Sequence, residues 1–228
     1  MSQANIVLYG NAGTPYTEKV LGALRFKHLE FEFIEPSSPE DLRRWNPETG
    51  LLPVITIDDE RTHDSSAILD RLESLCPEPP LLSKDPKTAR EQRRLEDWAS
   101  ETFGFYMMRW VRAKVGRETG PKTDAEGQAI GPLARLGLIG EDGQITTEML
   151  DTSDRGPGPE FERRIGDLVT MLGDRDFFYA NELSRADLSV YAVLFGMYTN
   201  RFPGGQGLLG KYPTLVALCD RVRAATTR

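Results

Sequence analysis

Three prolines fall within four residues at Pro77-Glu78-Pro79-Pro80, and the character of the chain changes across them. Before them, short apolar runs alternate with segments of helical spacing. After them, strand signals vanish. A stretch with this many prolines is stiff and extended, so it reads as a linker. With 228 residues the chain is long enough for two small units, and we place their limits at 1–79 and 80–228.

In the first unit, Ile6-Val7-Leu8-Tyr9 is an apolar run stopped by Gly10 and predicts a buried strand. Thr14 to about His28 predicts a helix, with Pro15 in its first turn. Phe31, Phe33 and Glu35 alternate with Glu32 and Ile34 and predict a second strand that ends at Pro36. A short helix over Glu40–Trp45 stops at Asn46-Pro47. Val54–Ile57 is a third strand, Asp58-Asp59-Glu60 turns into a brief fourth, and Ser65–Leu75 is helical. The order βαβ, α, ββα gives a mixed four-stranded sheet with helices on both faces. The second unit reads as helices throughout: Lys87 to about Arg117, Glu160–Leu172, Asp187–Asn200 and Pro213 to about Ala225. A polar, irregular stretch from Gly137 to Pro159 interrupts them. The expected fold class is α/β plus all-α.

Charge narrows the partners. Lys and Arg number 28 against 35 Asp and Glu, a formal net charge of −7 with no long basic run. Nucleic acid and anionic membranes are therefore not expected partners. No run of 18 apolar residues is present, and the N-terminus shows no secretory pattern. Two cysteines, Cys76 and Cys219, make no disulfide framework, which fits a reducing, cytoplasmic setting. Two histidines without a CxxC make a metal site unexpected. The arginines at 90, 93 and 94, interleaved with Glu91 and Glu96, read as a solvated face or a dimer contact.

Four features of the first unit occur in order: Thr14-Pro15-Tyr16-Thr17, Asn46-Pro47, Leu52-Pro53-Val54, and Asp64-Ser65-Ser66-Ala67-Ile68. Together with the helical second half and its Ser184-Arg185-Ala186-Asp187 capping box, they resemble the cytosolic glutathione transferases. The resemblance spans nearly the whole chain and is weakest between about 115 and 160. It implies a thioredoxin-like first domain that binds glutathione and an all-α domain that supplies the substrate pocket. It also implies a homodimer.

Residue by residue, the resemblance implies that the Leu52–Pro53 peptide is cis and that Leu52 offers an exposed edge to the extended tripeptide. Ser65 and Asp64 would receive the γ-glutamyl carboxylate and amine at a helix N-terminus, where unpaired N–H groups favour anions. The same two residues can simply cap that helix. Thr14 stands where serine-type members carry the hydroxyl that donates to the glutathione sulfur. It is equally placed to be an N-cap. Tyr9, near the end of the first strand, is the rival tyrosine-type donor, and Tyr16 is a weaker one. The redox members of this fold carry Cys-Pro-Tyr-Cys at this place. Hydroxyls at Thr14 and Thr17 cannot form a mixed disulfide, so that exchange is excluded.

Two further points bear on substrates. Phe103, Tyr106, Met107 and Trp110 share one helix face, which is either core or, through Tyr106 and Trp110, a wall of an apolar pocket. Leu51 and Ser37-Ser38 occupy positions where several classes hold a basic residue for the glycyl carboxylate; Arg43 and Arg44 could substitute. The expected activity is activation of the glutathione thiol for attack on an apolar electrophile. The alternatives are a non-catalytic binding protein of the same fold, or glutathione-dependent ether cleavage, isomerisation or dehalogenation.

Overall fold

A computed structural model describes residues 4–118 and 157–227. Strand β1 (Ile6–Tyr9) is followed by helix α1 (Pro15–Phe26), β2 (Glu32–Ile34), α2 (Pro39–Trp45), β3 (Val54–Ile57), β4 (Glu60–His63) and α3 (Ser65–Leu75). The sheet order is β2-β1-β3-β4. β1 pairs parallel with β2 and antiparallel with β3, so Leu8 faces Phe33 on one side and Ile55 on the other. The β3–β4 hairpin turns through Asp58 and Asp59, both at positive φ, which matches the twist of the strands it joins. This is the mixed sheet expected from the sequence.

The second half contains α4 (Pro86–Trp98), a π-helical turn (Ala99–Phe103), α5 (Gly104–Glu118), α6 (Pro157–Leu172), α7 (Arg185–Tyr198), α8 (Gly205–Leu209) and α9 (Pro213–Thr226). The core runs through both halves. Ile6, Leu8, Val20, Leu24 and Ile55 are buried under the sheet, and Phe161, Leu188, Val193 and Leu215 are buried among the helices. α7 packs along α1 and joins the two.

Three expectations need correction. The single helix over Lys87–Arg117 is three segments, because the amide of Gly104 bonds to the carbonyl of Ala99, five residues back. α6 starts at Pro157 rather than Glu160; Pro suits a first turn, whose N–H groups have no helical partner. Glu96 is not on a solvated face. It is buried at 1% exposure, where it meets Lys19 and Arg185. Its neighbours do follow the expectation: Arg94 pairs with Glu91 in the open. The short α8 has no counterpart in the sequence reading. The irregular stretch expected over 137–159 lies almost entirely outside the described residues.

The start of α7 is built around Asp187. Its carboxylate accepts from the Ser184 N–H at 2.9 Å, the Ser184 hydroxyl at 2.6 Å and the Phe178 N–H at 2.7 Å. Burial outweighs these bonds and raises its pKa to about 6. A carboxyl raised on folding binds its proton more tightly in the native state. Its contribution is therefore full at acid pH and is lost as pH rises through about 6. Asp187→Asn should destabilise the protein less at pH 7 than at pH 4. Urea unfolding of both forms at the two pH values checks this, and a gap that widens with pH would contradict it.

Candidate functional site

The first turn of α1, the approach to β3 and the start of α3 converge on a cleft of about 400 Å³. Leu52, Pro53, Asp64 and Ser65 line it together. They are remote in sequence, and the antiparallel β3–β4 hairpin brings them side by side, since Val54 pairs with His63. The Leu52–Pro53 peptide is cis. Neither the amide nor the carbonyl of Leu52 bonds to another group among the described residues, which leaves an edge open. Asn46 holds the preceding residue by donating to the Leu51 carbonyl at 2.9 Å.

Asp64 sits at φ 70° and caps α3: its Oδ1 accepts from the Ser66 and Ala67 amides at 2.9 and 3.0 Å. Capping and ligand binding do not conflict here, because Oδ2 takes no such bond. Ser65 is 4% exposed, and its hydroxyl has no partner among the described residues. The helix N-terminus adds its own partial positive charge to this corner.

Thr14 is the N-cap residue of α1 by position, yet its side chain makes no cap bond. Its oxygen lies 2.9 Å from the Asn11 carbonyl and 2.9 Å from the Thr17 hydroxyl. A hydroxyl carries one proton, so Thr14 donates to Asn11 and can accept from Thr17. Thr14 is not among the residues that line the cleft. Tyr16 is. It is 46% exposed, and its hydroxyl donates to the Ser100 carbonyl at 3.1 Å. Burial, with the carboxylates of Glu101 and Asp64, raises its pKa, so the phenol stays protonated.

The other candidates lie elsewhere. Tyr9 packs on Trp45 with ring centroids 4.7 Å apart. Trp110 is 2% exposed and tilts against Phe161, in the core. Tyr106 packs edge-on to Phe105, with the Arg164 guanidinium over its ring. Neither Tyr106 nor Trp110 lines the cleft. Arg44 pairs with Asp41, and among the described residues no Lys or Arg lines the cleft, where His63 stands instead. Sequence reading missed Ser100 and Glu101 as lining residues. They reach the cleft from the π-helical turn, and a shift in helical register has no signature in residue type. Tyr16 had one: it lies two residues beyond Thr14 on the same first turn.

Two family models match the chain: the glutathione S-transferase N-terminal domain over residues 8–80 and the glutathione S-transferase C-terminal domain over 161–222. Together they span more than half of it. A curated relative, glutathione S-transferase U1 of Arabidopsis thaliana, is 28% identical over 122 residues. That match covers 51% of this chain and about half of the relative, 54%. Among solved structures, the β-etherase LigF from Sphingobium superposes with a TM-score of 0.71 at 22% identity, covering 96% of this chain and 95% of that one. A glutathione S-transferase from Methylobacterium radiotolerans, in complex with glutathione sulfonate, gives 0.64 at 25% identity over 96% and 91%. The matched models, in this order, are the two parts of the glutathione S-transferase fold. The chain belongs to the glutathione S-transferase family.

Proposed function

We propose that this protein binds glutathione in the cleft and transfers it to an electrophilic carbon. The observation that carries the reading is the convergence of Leu52, Pro53, Asp64 and Ser65 on one cleft. In this arrangement the peptide of glutathione pairs with the free edge at Leu52 as a short added strand. The γ-glutamyl carboxylate meets the Ser65 hydroxyl and the α3 N-terminus, and its ammonium meets Asp64. Thr14 turns its proton to the sulfur. The thiol proton leaves to solvent, and the thiolate forms the new S–C bond as the leaving group departs with the electron pair of the old one. A homodimer and a cytoplasmic location belong to the same proposal.

A free thiol with a pKa of about 8.5 is only a few per cent ionised at pH 7. Lowering that pKa by about 2 units takes roughly 2.7 kcal/mol. One hydrogen bond to a charged group supplies about 1.5–3 kcal/mol. The α1 N-terminus adds a fraction of that. One well-aimed hydroxyl is thus sufficient.

A second reading is favoured by two observations: no Lys or Arg among the described residues lines the cleft, and the Thr14 proton is engaged by Asn11. It is a binding protein that holds glutathione without turning it over. Calorimetric titration with glutathione near neutral pH is the test of both. Saturable binding that weakens about tenfold in Ser65→Ala supports the site. Binding with no turnover of any electrophile favours the second reading, and no binding at all removes both.

A further inference from the structure

A second cavity, about 790 Å³, opens at the other end of α1. The cleft described above takes Tyr16 from the start of that helix, whereas this cavity takes Phe26 from its last turn. Ten residues of helix separate the two, or about 15 Å at 1.5 Å per residue. The cavity is bounded by the proline linker, by α4 and by the segment leading into α7. Its size is within the range of small-molecule pockets, about 300–1,000 Å³.

Its walls say what it would accept. Phe26, Pro80, Phe177 and Leu183 supply an apolar surface. Gln92, from α4, is 1% exposed and lines the cavity. Its Oε1 accepts from the Ser83 N–H at 2.8 Å, which fixes the amide plane. Its Nε2 makes no hydrogen bond to another described residue. An amide N–H₂ in the cavity wall with no protein acceptor is free to donate to a ligand oxygen. The charged residues at the cavity are Glu78, Lys84 and Glu182. Lys84 is already engaged by Glu78 at 3.2 Å. The nearby Lys27 is spent on the Cys76 and Pro79 carbonyls and on Glu73. Among the described residues that line the cavity no unpaired cation is left to receive an anion, and Glu182 would repel one.

We infer that this cavity is a second ligand site, for an uncharged, largely aromatic molecule whose carbonyl oxygen accepts from Gln92 Nε2. It is independent of the glutathione cleft and of any activity there.

The probe for the test is prodan, an uncharged naphthyl ketone whose emission shifts to the blue in apolar surroundings. Titration into the full chain should give a saturable blue shift. Gln92→Glu keeps the acceptor for Ser83 and replaces the N–H₂ by a carboxylate oxygen; it should weaken binding at least tenfold. Ala180→Trp places bulk in the cavity wall without touching Gln92, and should do the same; it keeps the test intact if the buried substitution fails to fold. Anilinonaphthalene sulfonate, of similar size but anionic, should not compete. No saturable shift, or equal affinity in the wild type and Ala180→Trp, overturns the site. Competition by the sulfonate overturns the preference for an uncharged ligand.

Discussion

Replacing Glu96 with Leu should destabilise the protein by about 3–5 kcal/mol, the usual cost of removing one partner from a buried ion pair. Glu96 sits between two cations. It is 3.0 Å from Lys19 Nζ, accepts from the Ser66 hydroxyl at 2.9 Å, and meets Arg185 through Nε and through Nη2 at 3.1 Å. Lys19 and Arg185 are as buried as Glu96 itself. Arg185 also reaches Asp70 and the Ser66 carbonyl, so α1, α3, α4 and α7 meet at one carboxylate. Without it, two positive charges remain in the interior. Burial already lowers the pKa of Lys19, so in the variant it can shed its proton; Arg185 cannot, and falls back on Asp70.

The midpoint of urea unfolding reads the loss, and Glu96→Leu combined with Lys19→Met should recover part of it. A double variant no more stable than the single one would show that stranded charge is not the cause. The pH dependence supplies a further check. Burial alone would raise the Glu96 carboxyl, but Lys19 and Arg185 overcome it and hold the pKa below its ordinary value. Stability from a lowered carboxyl is present above its unfolded pKa and is lost as pH falls through the folded one. The deficit of Glu96→Leu should therefore shrink in acid.

The same residue shows where sequence reading stops. β3 and α3 were readable to their limits, because each is fenced locally. Val54–Ile57 is β-branched throughout and follows Pro53, and Ser65–Leu75 follows a capping Asp64 and keeps its apolar residues on one face. The convergence of Leu52 with Ser65 was legible only through the family pattern, since nothing in either segment names the other. Glu96 carried no mark at all. On a helix rich in Arg and Glu it looks like its solvated neighbours, and only the approach of α1 and α7 converts it into an interior ion. The π-helical turn was hidden for a related reason. It changes which residues of one continuous helical pattern face the cleft, and moved Ser100 and Glu101 there while Phe103 went to the core.

At the proposed thiol site, Thr14→Val should raise the pKa of bound glutathione by about 1–2 units, the equivalent of losing a charged hydrogen bond of about 1.5–3 kcal/mol. Turnover at pH 7 should fall roughly 3- to 25-fold, following the thiolate fraction, while the KM for glutathione moves little, since the contacts at Leu52 and Ser65 are intact. Valine keeps the shape of threonine and removes only the hydroxyl. The Thr14 proton rests on the Asn11 carbonyl at 2.9 Å, a neutral bond. A thiolate acceptor offers a charge-assisted bond about twice as strong, so turning the Thr14 hydroxyl from Asn11 to the sulfur, with its proton kept on oxygen, is favourable once the anion forms. The Thr17 hydroxyl, 2.9 Å away, can then donate to the Thr14 oxygen and strengthen it as a donor.

Thr14→Ser should retain most of the effect, because the methyl group takes no part in it. The competing donor is Tyr16, whose protonated phenol lies in the cleft wall. Thiolate absorbance near 240 nm, followed against pH with glutathione bound, separates the two. A pKa that rises in Thr14→Val and holds in Tyr16→Phe supports Thr14. The reverse pattern transfers the role to Tyr16 and leaves Thr14 as the hydroxyl that closes the loop before α1.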